Sequence, residues 1–360
     1  MTISKILISL LALITLFVSV HEAQAQKFIQ TLYPVCISGS WGYINATGEI
    51  MIQPKYQSAF PFSEGLAAVR ENSKFGYIDL AGKMIIPPQF KYGFAFREGL
   101  AWVVDGGANG FIDRSGKIVL RVNGPGWSRE FREGLAKINP DIEGIRASES
   151  SKYGFMNRRG TRVIPSQFEN AWDFEEGLAA VQTSGIWGFI DKSGSFVIYP
   201  RFENASYFSE GAAAVLFQGK AIFIDKLGRR LFISDFEEAN AFHEGLAAVK
   251  IGNVWGCIDK NGKLVIPAKF EEISALIYGR ASFKQNGKYG FIDKTGQIIV
   301  EPIYDFVHFF VGDLAIVAYA PLSSDGSNYG YINRSGKVIW EPKKTLAANL
   351  VGHCINPSFR

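Results

Sequence analysis

The sequence predicts an all-β fold of nine tandem antiparallel β-meander repeats, each about 34 residues long. Two observations predict it. Residues 64–69, Glu-Gly-Leu-Ala-Ala-Val, and 75–79, Phe-Gly-Tyr-Ile-Asp, recur in near-identical form along the chain, and a fixed period of this length indicates a repeat architecture. The composition is also rich in glycine (38 residues) and phenylalanine (29 residues), which is typical of many short strands joined by tight turns.

The repeats align on a dipeptide whose first position is aromatic in seven of nine copies and whose second is Gly in eight. The copies lie 34 residues apart, except for intervals of 44 and 40 residues after the third and eighth. Such fixed framing favours packing between units over a ligand platform. The dipeptides begin at Trp41, Phe75, Asn109, Tyr153, Trp187, Ala221, Trp255, Tyr289 and Tyr329. The structural set is Trp41, Gly42, Gly76, Trp187, Gly188, Trp255 and Gly256, and the exception to Gly is Ile222.

One unit can be read as a meander of three strands and a shorter fourth segment. Leu66–Val69 is the first predicted strand and Phe75–Asp79 the second, joined by a polar loop of hairpin length. A turn that uses Asp and Gly leads to the third strand, Met84–Ile86. Phe90 and Phe96 anchor the fourth segment. Such a unit cannot bury its aromatic face alone, so neighbouring units must stack.

Two arrangements satisfy this requirement: a closed propeller-like ring with the Leu-Ala-Ala-Val strand innermost, or an open β-solenoid. We favour the ring slightly. Cys36 and Cys354 bracket the array, and residues 32–37 supply the strand that the first unit lacks. The repeats begin at about residues 32, 66, 100, 135, 178, 212, 246, 280 and 314, within a single domain of residues 26–360.

With these motifs the chain resembles the WG-repeat (KWG) family of short, β-rich bacterial repeats. The resemblance spans residues 41–342 and is specific, because the motif recurs nine times in phase. It implies a β-repeat fold and little about activity, since the repeat and not a reaction defines the family.

Residues 1–25 are predicted to be a secretory signal peptide. Lys5 lies in a short charged start, residues 6–20 are apolar or hydroxylic, and Ala23-Gln24-Ala25 matches an A-x-A cleavage site. The alternative is an uncleaved anchor. We expect a mature chain that starts at Gln26, is exported to the periplasm or the exterior and has no transmembrane segment.

The cysteines and charges give further predictions. An exported protein can keep a disulfide, so Cys36 and Cys354 are a possible pair that would tie the two ends of the array together. Cys257 replaces a repeat aromatic and should be a buried small hydrophobe. The mature chain has 37 basic and 33 acidic side chains, spread over every repeat, so no basic stripe indicates nucleic-acid binding.

Catalytic and metal-binding motifs are absent from the sequence. The four histidines have no partner at metal-ligand spacing, and no cofactor is predicted. Aspartates and glutamates recur at fixed places beside turn glycines, which favours turn residues over paired-carboxylate catalysis or a calcium ladder. These residues are Asp79, Asp113, Asp191, Asp225, Asp259 and Asp293, and Glu64, Glu98, Glu133, Glu176, Glu210 and Glu244.

Two insertions, Asn139–Lys152 and Ala320–Asn328, fall in the same inter-strand loop, and insertions on one face of a repeat protein are often functional or simply tolerated. The preferred hypothesis is an exported, non-enzymatic binding or scaffolding protein of the bacterial envelope, with a protein or glycan partner. The alternatives are a glycan hydrolase with a site in the channel or at the loop edge, and a structural spacer.

Overall fold

The structure is a computed structural model that describes residues 31–106, 108–122, 130–138, 152–319 and 328–341. Within these ranges every regular element is a β-strand, and the strands form nine antiparallel sheets in chain order, here called blades 1–9. Blades 1–3 contain β1 (Tyr33–Ile37), β2 (Ser40–Ile44) and β3 (Ile50–Tyr56); β4 (Ser58–Ala59), β5 (Leu66–Glu71), β6 (Lys74–Asp79) and β7 (Met84–Phe90); and β8 (Tyr92–Arg97), β9 (Leu100–Asp105), β10 (Ala108–Ile112) and β11 (Ile118–Val122). Blades 4–6 contain β12 (Leu135–Ile138), β13 (Tyr153–Asn157) and β14 (Arg162–Phe168); β15 (Asn170–Ala171), β16 (Ala179–Thr183), β17 (Ile186–Ile190) and β18 (Phe196–Phe202); and β19 (Asn204–Ala205), β20 (Ala213–Phe217) and β21 (Lys220–Ile224). Blades 7–9 contain β22 (Glu238–Ala239), β23 (Leu246–Ile251), β24 (Val254–Asp259) and β25 (Leu264–Phe270); β26 (Glu272–Ile273), β27 (Arg280–Gln285), β28 (Lys288–Asp293) and β29 (Ile298–Tyr304); and β30 (Phe306–Val307), β31 (Leu314–Ala318), β32 (Tyr329–Asn333) and β33 (Val338–Trp340).

A complete blade has four strands that pair in chain order, as in β4-β5-β6-β7, and the first of them is usually the shortest. The predicted short segment therefore belongs to the sheet of the strand that follows it: Ser58 pairs with Arg70 and Ala59 with Val69. Each blade thus begins about eight residues before the sequence repeat, at residue 58 where the repeat begins at 66. The Leu-Ala-Ala-Val strand is second in the blade, so the prediction that it is the innermost strand is wrong.

The glycine of the repeat dipeptide lies directly beneath the fourth strand. In blade 5 a Cβ added to Gly188 would lie 2.6 Å from the carbonyl oxygen of Ile198 and 2.7 Å from the nitrogen of Pro200. The fourth strand bulges at this point, because the pairing register shifts between Trp187 and Phe189. The same backbone contact, at 2.3–2.6 Å, occurs at Gly42, Gly76, Gly110, Gly154, Gly256 and Gly290. Only a residue without a side chain fits here.

Blade 6 shows what happens when this glycine is replaced. It has Ile222 at the glycine position. The residues that follow its third strand are all described, yet they form no regular fourth strand. Two isolated bridges remain, Ala221 to Phe236 and Ile224 to Arg230. Between them the chain loops outward, and Ile233 is 92% exposed.

Neighbouring blades are joined by a repeated pair of aromatic rings. The ring of the aromatic-Ile-Asp motif in one blade packs against a Phe that precedes the first hairpin turn of the next, with ring centroids 4.8–5.0 Å apart. The pairs are Tyr43–Phe62, Tyr77–Phe96, Phe111–Phe131, Phe155–Phe174, Phe189–Phe208, Phe223–Phe242 and Phe291–Phe310. Between blades 7 and 8 both members are smaller, Cys257 and Leu276, and both are buried in one cluster. The hydrophobic core therefore lies between the blades.

The last blade packs on the first, so the ring is closed, as predicted. The hydroxyls of Tyr329 and Tyr331 both donate to the carbonyl oxygen of Pro34, at 2.7 and 2.9 Å. Trp41 stacks on Tyr329 with centroids 6.2 Å apart, and these residues share one buried cluster. Tyr33 accepts a hydrogen bond from the backbone N–H of Asp313 at 2.9 Å. The open solenoid is excluded.

Cys257 is a buried free thiol, and burial raises its pKa to about 12, so it is not a reactive thiolate at neutral pH. Cys36 is disulfide-bonded. Cys354 lies outside the described residues, and its pairing with Cys36 stays a prediction. The signal peptide, residues 1–25, also lies outside them, as do residues 139–151 and 320–327 of the two insertions.

The hairpin turns between first and second strands also join neighbouring blades. Glu133 and Gly134 form one such turn with φ values of 50° and 83°, both positive, as a two-residue type I′ turn requires. The positive φ is strained for Glu, but its carboxylate reaches the next blade. There it accepts the N–H of Gly177 at 3.0 Å and pairs with Lys192 at 3.0 Å. Equivalent ion pairs join Glu64 to Arg114, Glu98 to Arg158, Glu176 to Lys226 and Glu210 to Lys260.

Blades 8 and 9 have no glutamate at this position. Blade 8 has Tyr278 in place of the Glu, and Arg334 of blade 9 lies over its ring, 5.4 Å from the centroid. Blade 9 has Gly312 at the Glu position, and blade 1, which follows it in the ring, has Ala46 in place of the base. The recurring aspartates, in contrast, accept bonds within their own turns: Asp79 Oδ1 accepts the N–H of Ala81 and of Lys83. The glutamates are therefore inter-blade contacts, which the sequence interpretation as turn residues did not include.

We expect Gly188→Ala to lower the free energy of unfolding by about 3 kcal/mol, because backbone atoms of the fourth strand would have to move. Gly185→Ala is the matched control: it lies in a nearby turn with φ of 77° and open space around it, so only the strained backbone should cost about 1 kcal/mol. Urea denaturation of both variants followed by tryptophan fluorescence measures the difference. Equal losses would show that the contact beneath the fourth strand is unimportant.

The inter-blade glutamates should make the ring sensitive to acid. Burial alone would raise the pKa of Glu98, Glu176 and Glu210, but the bonds from Arg158, Lys226 and Lys260 and from backbone N–H groups lower each pKa below its usual 4.5. A lowered folded-state pKa gives stability that is present above pH 4.5 and is lost as the pH falls through the lowered values.

The variant Glu98→Gln/Glu176→Gln/Glu210→Gln should therefore be less stable by about 1–2 kcal/mol at pH 7, and its loss of stability below pH 4.5 should be shallower than that of the wild type. Urea midpoints between pH 3 and 7 measure this. Glu301→Gln is the control, because Glu301 is exposed and forms no ion pair within the described ranges. A triple variant with the wild-type pH profile would contradict the assignment.

Candidate functional site

The residues on either side of the inter-blade Phe face the axis of the ring. In blade 5 the buried anchor is Phe174, and side chains alternate along an extended segment, so Asp173 and Glu175 point the other way. These two positions differ from blade to blade although their surroundings repeat. The position just before the turn Glu or its equivalent holds Ser63, Arg97, Arg132, Glu175, Ser209, His243, Ile277 and Val311 in blades 2–9.

In blades 4–7 these varying positions meet at one cavity of about 490 Å³, here called the turn-side cavity. The side chains that define it are Arg132, Trp172, Asp173, Glu175, Tyr207 and His243, which come from four successive blades. Because blades of a propeller diverge away from the axis, a cavity shared by four of them lies on the inner wall. The short first strands are therefore the innermost ones.

Ion pairs run along the inner wall from blade 3 to blade 5. Arg132 donates to Glu175 of the next blade at 2.9 Å, and its Nε lies 3.5 Å from Glu130. Glu130 also pairs with Arg97 of the preceding blade at 2.7 Å. This alternating row fixes long side chains at the edge of the turn-side cavity and neutralises Arg132.

Trp172 presents a flat apolar surface to the cavity. Its indole N–H donates to the carbonyl oxygen of Ala205 in the next blade at 2.9 Å, which fixes the ring, and 46% of the residue is nevertheless exposed. Next to it, Asp173 Oδ1 is a buried atom with no hydrogen-bond partner among the described residues. A buried acceptor without a donor is unfavourable, so this oxygen is suited to a donor that a ligand brings.

Tyr207 and His243 form the far side of the cavity. The Tyr207 hydroxyl and His243 Nε2 lie 3.2 Å apart, within hydrogen-bond distance, with the donor set by the histidine tautomer. Burial raises the pKa of Tyr207, the Glu175 carboxylate raises it further, and Arg132 opposes both. The hydroxyl is thus protonated at neutral pH and can donate or accept.

A second cavity of about 350 Å³, the loop-side cavity, lies on the other side of Trp172. Its polar lining includes Asn204, Ser206, Glu237 and Glu238, at the start of the first strands of blades 6 and 7. Trp172 lines both cavities. The inner wall of blades 5–7 therefore carries one track in which a fixed indole borders two cavities, each lined by both polar and apolar side chains.

The inner wall has a different character at blades 8 and 9. The varying positions there hold Ile277, Phe309 and Val311, and Phe309 and Val311 are 45% and 40% exposed. His308 stacks on Phe309 with ring centroids 4.0 Å apart. The polar groups of the wall are thus concentrated on one arc of the ring.

The repeat residues singled out in the sequence lie away from these cavities. Trp41 and Trp187 are buried between sheets, Trp255 is partly buried in the cluster of blades 7 and 8, and Gly42, Gly76, Gly188 and Gly256 lie beneath fourth strands. The sequence analysis missed Arg132, Trp172, Asp173, Tyr207 and His243. The available signal was variability at the two positions that flank the constant Phe, which hold Asp173 and Tyr207 before it and Arg132 and His243 after it. Within the described ranges, no group of three potential ligands could hold a metal ion, and no helix is long or apolar enough to span a membrane.

The fold is similar to that of solved structures with low sequence identity. A eukaryotic initiation factor shares 13% identity at a TM-score of 0.57, over 86% of this chain and 95% of that chain. Apo AztD from Citrobacter koseri shares 11% identity over 75% and 93% of the two chains, with a TM-score of 0.41. An extracellular domain of a hybrid two-component system from B. thetaiotaomicron shares 12% identity over 84% and 56%, with a TM-score of 0.30. The likeness to the initiation factor concerns the fold alone.

No curated protein shows significant similarity to the sequence. The family model described as WG containing repeat matches seven times, at residues 41–75, 75–107, 153–185, 187–220, 223–255, 255–289 and 289–318. These matches cover more than half of the chain, and each begins at a repeat dipeptide or directly after it. The protein belongs to the family of WG-repeat proteins, and its repeats form a closed nine-bladed β-propeller.

Proposed function

We propose that this propeller is an exported, non-enzymatic binding protein of the bacterial envelope and that its ligand site is the turn-side cavity. The observation that carries the proposal is the convergence of five side chains that do not follow the repeat, Arg132, Asp173, Glu175, Tyr207 and His243, on one cavity together with Trp172. A mixture of an aromatic surface with a few fixed polar groups in a space of this size is typical of ligand sites. The predicted signal peptide at residues 1–25 supports export.

A purely structural spacer does not need these residues. Blades that serve only the ring require the aromatic pair, the dipeptide glycine and the turn contact, and all three recur from blade to blade. The polar arc is confined to part of the ring and leaves Asp173 Oδ1 without a partner among the described residues, at a cost to stability. Because the unpaired Asp173 oxygen lowers stability and serves no structural contact of the ring, it favours a binding role.

The proposal predicts that cavity substitutions abolish ligand binding and that shortened insertions do not. For the test, the full chain is produced in a bacterial host with its own residues 1–25 as the export signal, and the protein is purified from the periplasm. The mass of the purified protein shows whether the chain has been cleaved before Gln26. Fractions of an envelope extract are then tested for a rise in Tm. A ligand at about 100 times its Kd adds about 2.7 kcal/mol, a rise of a few degrees. We expect Trp172→Ala/His243→Ala to lose the rise.

The matched control shortens both insertions, 139–152 and 320–328, to the standard loop length and leaves the cavity intact. The strand ends that flank the insertions, at residues 138 and 153 and at residues 318 and 329, belong to second and third strands and lie on the face opposite to the first hairpin turns. The proposal would be overturned by an extract fraction that raises the Tm of the Trp172→Ala/His243→Ala variant but not the Tm of the chain with shortened insertions. That result would show that the ligand binds to the insertions.

A second candidate function is glycan hydrolysis, and one observation favours it: Asp173 and Glu175 are two carboxylates in one cavity, outside the repeated Glu position. Hydrolases place two carboxyl groups across the scissile bond, one as acid and one as base or nucleophile. Here the two carboxylates are on one extended segment, and Glu175 is already paired with Arg132 at 2.9 Å. This arrangement fits binding better than catalysis.

The two functions are distinguished by turnover. We expect the wild type to release no reducing ends from cellotetraose, chitotetraose or maltotetraose beyond the level of the Asp173→Asn/Glu175→Gln variant, because neither carboxylate has a partner across a bond. A reducing-sugar assay over a day at pH 5–7 measures this. Release by the wild type that disappears in the double variant would establish the hydrolase and exclude the non-enzymatic function.

A further inference from the structure

We propose that the inner wall of blades 5–7 binds an uncharged oligosaccharide whose units lie on both sides of Trp172; this inference rests on the proposed binding function and names the ligand class. The indole of Trp172 is the flat apolar surface of the site. Its N–H is already bonded to Ala205, so the ring offers only its apolar faces. The C–H face of a pyranose is a flat surface of matching character, and a ring fixed before binding loses little entropy when it is covered.

The polar groups around the indole require hydroxyl partners. Asp173 Oδ1 is a buried acceptor that lacks a donor among the described residues, and Glu175 and Arg132 present further acceptor and donor atoms. The Tyr207 hydroxyl and His243 form a pair that can donate or accept. A sugar hydroxyl does both at one atom, so a polyhydroxylated ligand can satisfy this mixed set where a purely anionic or cationic group cannot.

The charges of the wall exclude anionic ligands. The turn-side cavity is lined by one permanent cation, Arg132, by the titratable His243 and by three carboxylates, those of Asp173, Glu175 and Glu176. The loop-side cavity adds Glu237 and Glu238. Arg132 itself is paired with Glu175 and Glu130, so no permanent cation within the described part of the cavities is left to hold a phosphate, sulfate or uronate. Two of the three carboxylates of the turn-side cavity are also paired already, Glu175 with Arg132 and Glu176 with Lys226, so little unpaired negative charge remains for an ammonium group and a neutral ligand is favoured.

The two cavities indicate a chain and not a single sugar. They measure about 490 and 350 Å³, both within the usual range of ligand sites, and they share Trp172 as a common wall. A ligand that fills both must pass the edge of the indole. Linked pyranose units do so without burying a charge, and each cavity supplies its own acceptors, Asp173 on one side and Glu237 on the other.

The test is isothermal titration of the exported full chain with three neutral tetrasaccharides, cellotetraose, chitotetraose and maltotetraose. We expect at least one to bind, its monosaccharide to bind at least tenfold more weakly, and Trp172→Ala to weaken binding by about tenfold or more. Asp173→Asn should weaken it by about tenfold, whereas Trp172→Phe should keep most of the affinity. Tyr199→Ala is the control, because Tyr199 is a 74% exposed aromatic residue on the fourth strand of blade 5, outside both cavities. Far-UV circular dichroism verifies that each variant is folded.

Three results of the titration would contradict the proposed ligand class. No heat from any of the three neutral tetrasaccharides, or binding that survives Trp172→Ala in a folded variant, would overturn the ligand class. Tetragalacturonate or chitosan tetraose that binds in a Trp172-dependent way, in the absence of neutral binding, would also overturn it but leave the proposed binding function in place. Failure of the binding function itself is recognised separately, by envelope fractions whose effect on Tm does not depend on Trp172 and His243.

Discussion

The ring depends on one contact, the aromatic pair between the third strand of a blade and the Phe that precedes the first turn of the next. With centroids 4.8–5.0 Å apart at seven junctions, it has nearly the same geometry wherever it occurs. Because the contact fixes the distance between successive blades, it also places the innermost segments around the axis. Phe174 therefore decides where Asp173 and Glu175 point, and the repeated core and the varying site share one short segment.

A second constraint, the glycine beneath the fourth strand, acts within a blade and tolerates an exception. Ile222 breaks the regular fourth strand of blade 6, yet the junction between Phe223 and Phe242 keeps its 4.8 Å geometry. In a repeat array each unit contacts only its neighbours, so damage to an outer strand stays local as long as the inner junctions hold. This separation explains why the fourth strand can vary while the junction residues change only in compensating pairs, as Cys257 and Leu276 do.

The sequence predicts the parts of the structure that recur. The all-β class, the strands, the Asp turns and the small buried Cys257 follow from residues at a fixed period, whereas the preference for a closed ring rests on the segment 32–37 and on the bracketing Cys36 and Cys354. It does not predict the boundaries of the sheets, because a short segment such as Ser58–Ala59 could pair with the strand on either side, and only the curvature of the ring selects the following one. For the same reason the role of Glu133 could not be predicted: its partners Gly177 and Lys192 are about one and two repeats away, and periodicity alone does not state which blade they meet.

The candidate site could not be predicted from the repeat, because its residues differ from one repeat to the next. A position that holds Ser, Arg, Glu, His, Ile and Val in different repeats has the pattern of a solvent-exposed surface, and the period alone does not show that Arg132 and His243, which share this position, meet at one cavity. In the closed ring, every blade points this position at one axis. The variable side chains of neighbouring blades can therefore form one site. Most propellers have four to eight blades, and each added blade widens the ring at its centre. Nine blades with innermost strands as short as Asn170–Ala171 thus leave space along the axis in which long side chains from four blades, and a ligand between them, can meet.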